Sequence, residues 1–280
     1  MSVNTATITP AYEPKTSLPP GHYGFGGVLA SEWTKLTSVR STVWTLLITV
    51  AVGIGLGAIV TSTQASRWSR RSLVRQLNFD PTRSSLAGLL FAQLAIGVLA
   101  VLVVSSEYST GTIRATFAAV PRRPLVLVAK VTVFGTVTLV IGEAVAFIAF
   151  LLGQQILAGR TPTASLSDPA VARAVSSGGL YLAALGLLAL GLATIIRHTA
   201  ASISAFVGAL FILPIIAATL PTSITNDIDR FLPAQIGTIM LTAHYHGTDP
   251  YGPWTSFAIL CGYATAALVA GGLLLVRRDA

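Results

Sequence analysis

The sequence predicts an all-α polytopic membrane protein with six transmembrane helices. Composition is the first ground. The chain is 53% hydrophobic and only 10% charged, whereas a soluble domain carries roughly 25% charged residues to keep its surface dispersed. The second ground is the spacing of the charges. A spanning helix satisfies its own backbone and avoids charge, because a central Arg, Lys or Asp costs ~2.5–3.5 kcal/mol on insertion scales. Residues 41–66, 84–106, 174–196, 198–226 and 250–276 are free of charge, and 131–159 is interrupted only by Glu143. The third ground is length. With ~20 apolar residues per span, 280 residues accommodate six spans joined by short connections.

Taken in order, residues 1–24 are rich in Thr, Pro and Gly. They lack the charged start and apolar run of a secretory signal, so they read as a short disordered tail. Residues 25–41 follow, with Phe25, Leu29, Trp33 and Leu36 at helical spacing and Glu32, Lys35 and Arg40 elsewhere. That pattern predicts an amphipathic helix with a Trp at the membrane interface. It could be a simple anchor or a surface for a partner.

Spans are expected at about 42–62, 86–106, 126–153, 177–196, 201–220 and 255–276. Gly53, Gly55 and Gly57 in the first could admit a neighbouring helix or face lipid. Five arginines, Arg67, Arg70, Arg71, Arg75 and Arg83, fill the loop after it. The third span is long enough to tilt or to leave the membrane. Pro214 should kink the fifth. The apolar stretch 231–241 is too short to cross and reads as a surface or re-entrant helix.

Six spans put both termini on one side. With the termini inside, the inside regions hold ten basic residues and the outside eight, so the positive-inside rule gives little direction. The net charge of +8 sits at the edges of apolar segments, which points to anionic lipid headgroups as partner and not to nucleic acid. Cys261, the only cysteine, has no partner for an intrachain disulfide.

The connection between the second and third spans carries the most chemistry. It begins Glu107-Tyr108-Ser109-Thr110-Gly111-Thr112-Ile113-Arg114 and ends Pro121-Arg122-Arg123-Pro124. Ser109 or Thr110 could cap a short helix. Ile113, Phe117 and Val120 then share one face, and Pro121 ends it. A short helix, apolar on one side and projecting from two long spans, suits docking into a groove on another protein. The plainer reading is a basic loop.

This segment, with Lys130 beyond it, resembles the loop after the second span of ABC-2-type transporter permeases. Residues 31–41, Ser-Glu-Trp-Thr-Lys-Leu-Thr-Ser-Val-Arg-Ser, look like the segment leading into the first span of that family. The resemblance implies a cell-membrane protein with both termini cytoplasmic. It implies a homodimer in which each copy sits on a separate ATPase subunit, with ATP and Mg bound on that partner and no cofactor on this chain. Residues 107–123 would be the coupling helix that receives the motion of the ATPase, with Glu107, Tyr108, Gly111, Thr112, Ile113, Arg114, Phe117, Pro121, Arg122 and Arg123 as its working residues. Residues 25–41 would be the connecting helix, with Glu32, Trp33, Lys35, Leu36 and Arg40. The arginine-rich first external loop departs from the family pattern.

The chain carries no G-x-x-x-x-G-K-[ST] phosphate loop, so an energy source of that kind has to be another chain. Neither H-E-x-x-H nor G-x-S-x-G occurs, and no catalytic set is legible. His244 and His246 with Asp249 make only a partial metal set. Glu143 lies within the third span, where an acid could meet a substrate or a proton in the translocation path; it could equally be protonated or paired with a neighbouring hydroxyl. Walls of Leu, Val, Ala, Phe and Gly would suit a lipid, a hydrophobic drug or a peptide as exported substrate. A secondary transporter without an ATPase partner would need several intramembrane ionisable groups, and the spans hold one. A non-transporting membrane sensor or immunity protein would need no ATPase. A small ATPase gene beside this one discriminates among the three.

Overall fold

The computed structural model describes residues 24–221, 225, 228–244 and 251–277. The tail expected at 1–24 lies, apart from Gly24, outside the described residues, as do His246 and Asp249. Among the described residues every regular element is helical, and six helices are long and apolar enough to cross a membrane. That is the makeup of a multi-pass membrane protein.

The chain opens with α1 (Phe25–Ser38) and turns at Val39 into α2 (Arg40–Ser66), the first span. A 3₁₀ turn (Trp68–Arg70) and α3 (Leu73–Leu77) lead to α4 (Pro81–Leu86). Asp80 caps α4 by accepting from the backbone N–H groups of Thr82 at 2.8 Å and Arg83 at 3.1 Å. After a short break α5 (Leu89–Ser109) continues the second span. The short α6 (Thr112–Ala119) precedes α7 (Arg123–Leu157), the third span. At ~1.5 Å rise per residue, the 35 residues of α7 outrun a ~30 Å hydrocarbon core. The fourth span is α8 (Pro169–Ile196), with Asp168 as N-cap and Arg197 ending it in the left-handed region at φ 59°.

The fifth span runs through α9 (Thr199–Val207), a π-helical turn (Gly208–Ile212) and α10 (Leu213–Ala217). Pro214 has no N–H and its ring crowds the carbonyl four residues back. The helix answers by widening, so the Leu213 N–H bonds to the Gly208 carbonyl across a π turn. Next comes α11 (Pro233–Met240), followed by α12 (Pro253–Arg277), the sixth span. The stretch read as a surface or re-entrant helix is not on the surface. Ile236, Ile239 and Met240 of α11 are buried, and Gly237 packs against the Tyr181 ring.

Helix α8 is the centre of the bundle. Two-thirds of its apolar window is buried, against 17% for α2, and it packs on α5, α7 and α12. Small residues allow this. A Cβ on Gly191 would lie 2.7 Å from the Ala267 Cβ, and one on Gly178 the same distance from the Ala146 Cβ. The three glycines of α2 divide. A Cβ on Gly53 would meet Val145 Cγ1 at 2.5 Å and one on Gly57 the Ser85 carbonyl at 2.7 Å, whereas Gly55 faces open space.

Candidate functional site

At the end of the bundle formed by α1, α6 and the chain reversals beside them, four charged side chains meet. Glu32 and Lys35 lie one helical turn apart on α1, and their carboxylate and ammonium are 2.7 Å apart. Glu107 stands in the last turn of α5, and Lys130 lies in the third turn of α7. Lys130 Nζ donates to Glu32 Oε2 at 2.6 Å, to Glu107 Oε1 at 2.9 Å and to the Val103 carbonyl at 3.4 Å. Lys35 Nζ donates to Glu107 Oε1 at 3.1 Å and reaches Thr116 Oγ1 on α6 at 3.3 Å. Two cations and two carboxylates thus join four helices.

Burial sets the strength of this cluster. The side chains of Glu32 and Lys130 are 3% and 7% exposed, and that of Lys35 is 36% exposed. Charges this deep are tolerated only when paired and hydrogen-bonded. Burial opposes the Lys35 ammonium, but its hydrogen bond to Glu32 and the Glu107 carboxylate outweigh that and hold its pKa above the ordinary lysine value. Of the apolar face expected on 25–41, Leu36 is buried and Phe25 and Trp33 are not. The buried face of α1 is Val28, Glu32 and Leu36. Glu32 turns inward because Lys130 waits for it on α7. Arg40 is exposed at the start of α2.

Above the cluster sits α6. Neither Ser109 nor Thr110 caps it, since both hydroxyls turn back to the Ser106 carbonyl. Gly111 is the N-cap, at φ 72°, a conformation that glycine adopts without steric cost. Ile113 is buried beneath α6, and Phe117 and Val120 pack partly against Val126 and Ala129 of α7. Thr112, Arg114, Pro121 and Arg122 are exposed.

Two further arginines brace this end. Arg123 lies over the Phe117 ring at 5.4 Å and donates to the Leu275 carbonyl at 3.0 Å. Arg197 lies over the Tyr108 ring at 5.3 Å and donates to the Leu274 carbonyl at 3.0 Å. Both satisfy carbonyls in the last turn of α12 that have no partner within the helix.

No family model matches the chain, and neither does any curated protein.

What remains is what the geometry can do. The space beside Glu107, Tyr108 and Lys130 is about 20 Å³, far below the ~300 Å³ of the smallest small-molecule sites. The charged cluster is therefore a joint between helices and not a ligand pocket. Among the described residues no group of three or more His, Cys, Asp or Glu side chains stands together as for a metal. Glu143 is apart from the cluster, thirteen residues along α7 from Lys130. Its stem packs against Gly179 of α8, and its Oε2 is buried with no hydrogen-bond partner.

The sequence pointed to Glu32, Lys35 and Glu107 but not to their common partner. Lys130 was visible as part of the resembling segment but not as a partner of the acids, and Arg197 only as the end of a span. A lysine that deep implies a buried acid, which is the signal that finds the cluster.

Proposed function

We propose that this chain is the membrane subunit of an ATP-driven exporter of the ABC-2 type, working as a dimer with two copies of a separate ATPase subunit. The observation that carries the reading is the Glu32–Lys130–Glu107–Lys35 cluster directly beneath α6. Helix α6 offers an exposed polar side with Arg114 and a buried apolar side with Ile113. A partner pushing on the exposed side would act on a helix tied through Thr116 and Lys35 to α1, and through Glu107 to α5 and α7. The contacts among α1, α5 and α7 are charged and largely buried, and α6 joins them through the Thr116 hydroxyl, so the helices would move together and not slide past one another.

In this reading α6 is the coupling helix and α1 the connecting helix, with both termini cytoplasmic in a bacterial-type cell membrane. ATP and Mg bind the partner. Its closure would switch the access of a path between the two permease copies. The apolar character of the spans supports a hydrophobic substrate, such as a drug, lipid or peptide.

The test is a search beside the gene for a small ATPase gene, followed by co-expression of the two chains. The wild-type chain is expected to co-purify with the ATPase and to alter its hydrolysis rate. Arg114→Glu reverses an exposed charge with no packing role and is expected to abolish co-purification while the permease stays monodisperse. Undiminished capture of the ATPase by that variant, with normal stimulation, would sink the coupling assignment.

A further inference from the structure

A second polar site lies at the opposite end of the bundle, walled by the loop after α2, the start of α4, the 162–168 connection and α11. It is a cleft of about 1060 Å³, ample against the ~300–1,000 Å³ of typical ligand sites. Arg71, Arg75 and Arg83 line it together with Asp80 and Asp168. Both carboxylates are already engaged. Asp80 caps α4 with one oxygen, accepts from the Ala243 N–H at 2.9 Å with the other, and faces the Arg173 guanidinium. Asp168 caps α8 and lies 3.0 Å from His244 Nε2. Among the described residues no carboxylate pairs with Arg71, Arg75 or Arg83.

The wall holds one further sign of an anionic occupant. Thr82 Oγ1 is buried without a hydrogen-bond partner in a residue that lines the cleft, and a hydroxyl there can donate to an anion. The rim is different in kind. Val60, Val74 and Leu77 also line the cleft, and on α3 the side chains of Leu73, Val74 and Leu77 are 76%, 67% and 84% exposed. Three guanidinium groups beside a row of exposed aliphatic side chains match one chemistry, a phosphate group carried on an apolar chain.

We propose that this cleft binds an anionic phospholipid, with the headgroup phosphate on Arg71, Arg75 and Arg83 and the acyl chains over Val74 and Leu77. This reading is independent of the ATPase-coupling proposal and needs no partner chain. The test uses the purified full chain in neutral detergent, followed by native mass spectrometry during titration with short-chain phosphatidylglycerol, phosphatidylcholine or inorganic phosphate. At ~1 kcal/mol per basic residue at a lipid headgroup, the Arg71→Gln/Arg75→Gln/Arg83→Gln variant is expected to bind phosphatidylglycerol roughly a hundred-fold more weakly. The corresponding triple lysine variant keeps the charge and is expected to stay within about ten-fold of wild type. Arg67→Gln/Arg70→Gln, outside the cleft, is expected to change nothing. Equal binding of phosphatidylcholine, or unchanged phosphatidylglycerol binding by the triple glutamine variant, overturns the site. Displacement of the lipid by millimolar inorganic phosphate overturns the lipid assignment in favour of a soluble anion.

Discussion

Replacing Lys130 by Met keeps the length and apolar stem of the side chain but removes the ammonium shared by Glu32 and Glu107. The two carboxylates lie 2.6 Å and 2.9 Å from that one nitrogen. Without it, two like charges at most about 5.5 Å apart repel by at least ~3 kcal/mol at an effective dielectric of ~20. Lys35 still touches both acids, at 2.7 Å and 3.1 Å, but it is partly exposed and offsets only a fraction. Breaking one partner out of a buried pair costs ~3–5 kcal/mol, and the remaining Lys35 places this case at the lower end, ~3 kcal/mol. For a chain of this size each kcal/mol moves the midpoint by ~2–4 °C. Lys130→Met is therefore expected to lower the apparent Tm in detergent by roughly 6–12 °C at a fixed scan rate. A companion variant that also carries Glu32→Gln and Glu107→Gln removes the stranded charges and should recover more than half of the loss. A Lys130→Met protein melting within about 2 °C of wild type would refute the reasoning. A companion that melted no higher than Lys130→Met would show that the loss was packing and not charge.

Three further outcomes follow from the packing. Gly57→Ala, whose Cβ would lie 2.7 Å from the Ser85 carbonyl, is expected to cost ~1–3 kcal/mol, while Gly55→Ala, into open space, should be neutral or stabilising by up to ~1 kcal/mol; thermal unfolding of the pair checks the contrast. Tyr181→Phe removes the hydroxyl that donates to Gln93 Oε1 and, at 3.4 Å, to the Pro233 carbonyl, and should cost ~1–3 kcal/mol by leaving a buried acceptor unsatisfied, with amide exchange rising in α11. Glu143→Gln should leave the Tm unchanged or raise it, because the carboxylate holds a buried oxygen with no partner and an amide is cheaper to bury. Transport that loses its pH dependence in that variant would assign Glu143 to the translocation path instead.

The spans were legible because the rule behind them is local. Insertion cost is set by charges within one window, so Arg40, Arg67, Glu107, Arg197 and Arg277 mark helix ends within a few residues. The face of α1 was not legible for the opposite reason. Helical periodicity assumes that polar residues face water, and Glu32 faces inward only because a lysine 98 positions away neutralises it. The cap of α6 failed similarly. Ser109 and Thr110 have the right chemistry, but their hydroxyls find the Ser106 carbonyl first and leave the turn to Gly111. Pro214 announced a disturbed helix, yet its π-helical form depends on the chain just upstream of it.

The charged cluster would be a poor device if stability were its only role. Apolar side chains of similar volume hold helices together at least as well. What the charges add is that each has a second partner. Glu107 accepts from Lys35 and Lys130, Glu32 does the same, and Lys35 also reaches Thr116 on α6. A small displacement of α6 or α1 can therefore exchange one bond for another without stranding a buried charge, whereas an apolar joint would open a void or hold fast. At the opposite end the Arg71, Arg75 and Arg83 groups have no acid partner among the described residues. In the two proposals the ends do different work, one closed on itself to transmit movement and the other left open to an anion. In the ATPase-driven proposal, the exposed side of α6 is the surface through which the movement of the joint would enter.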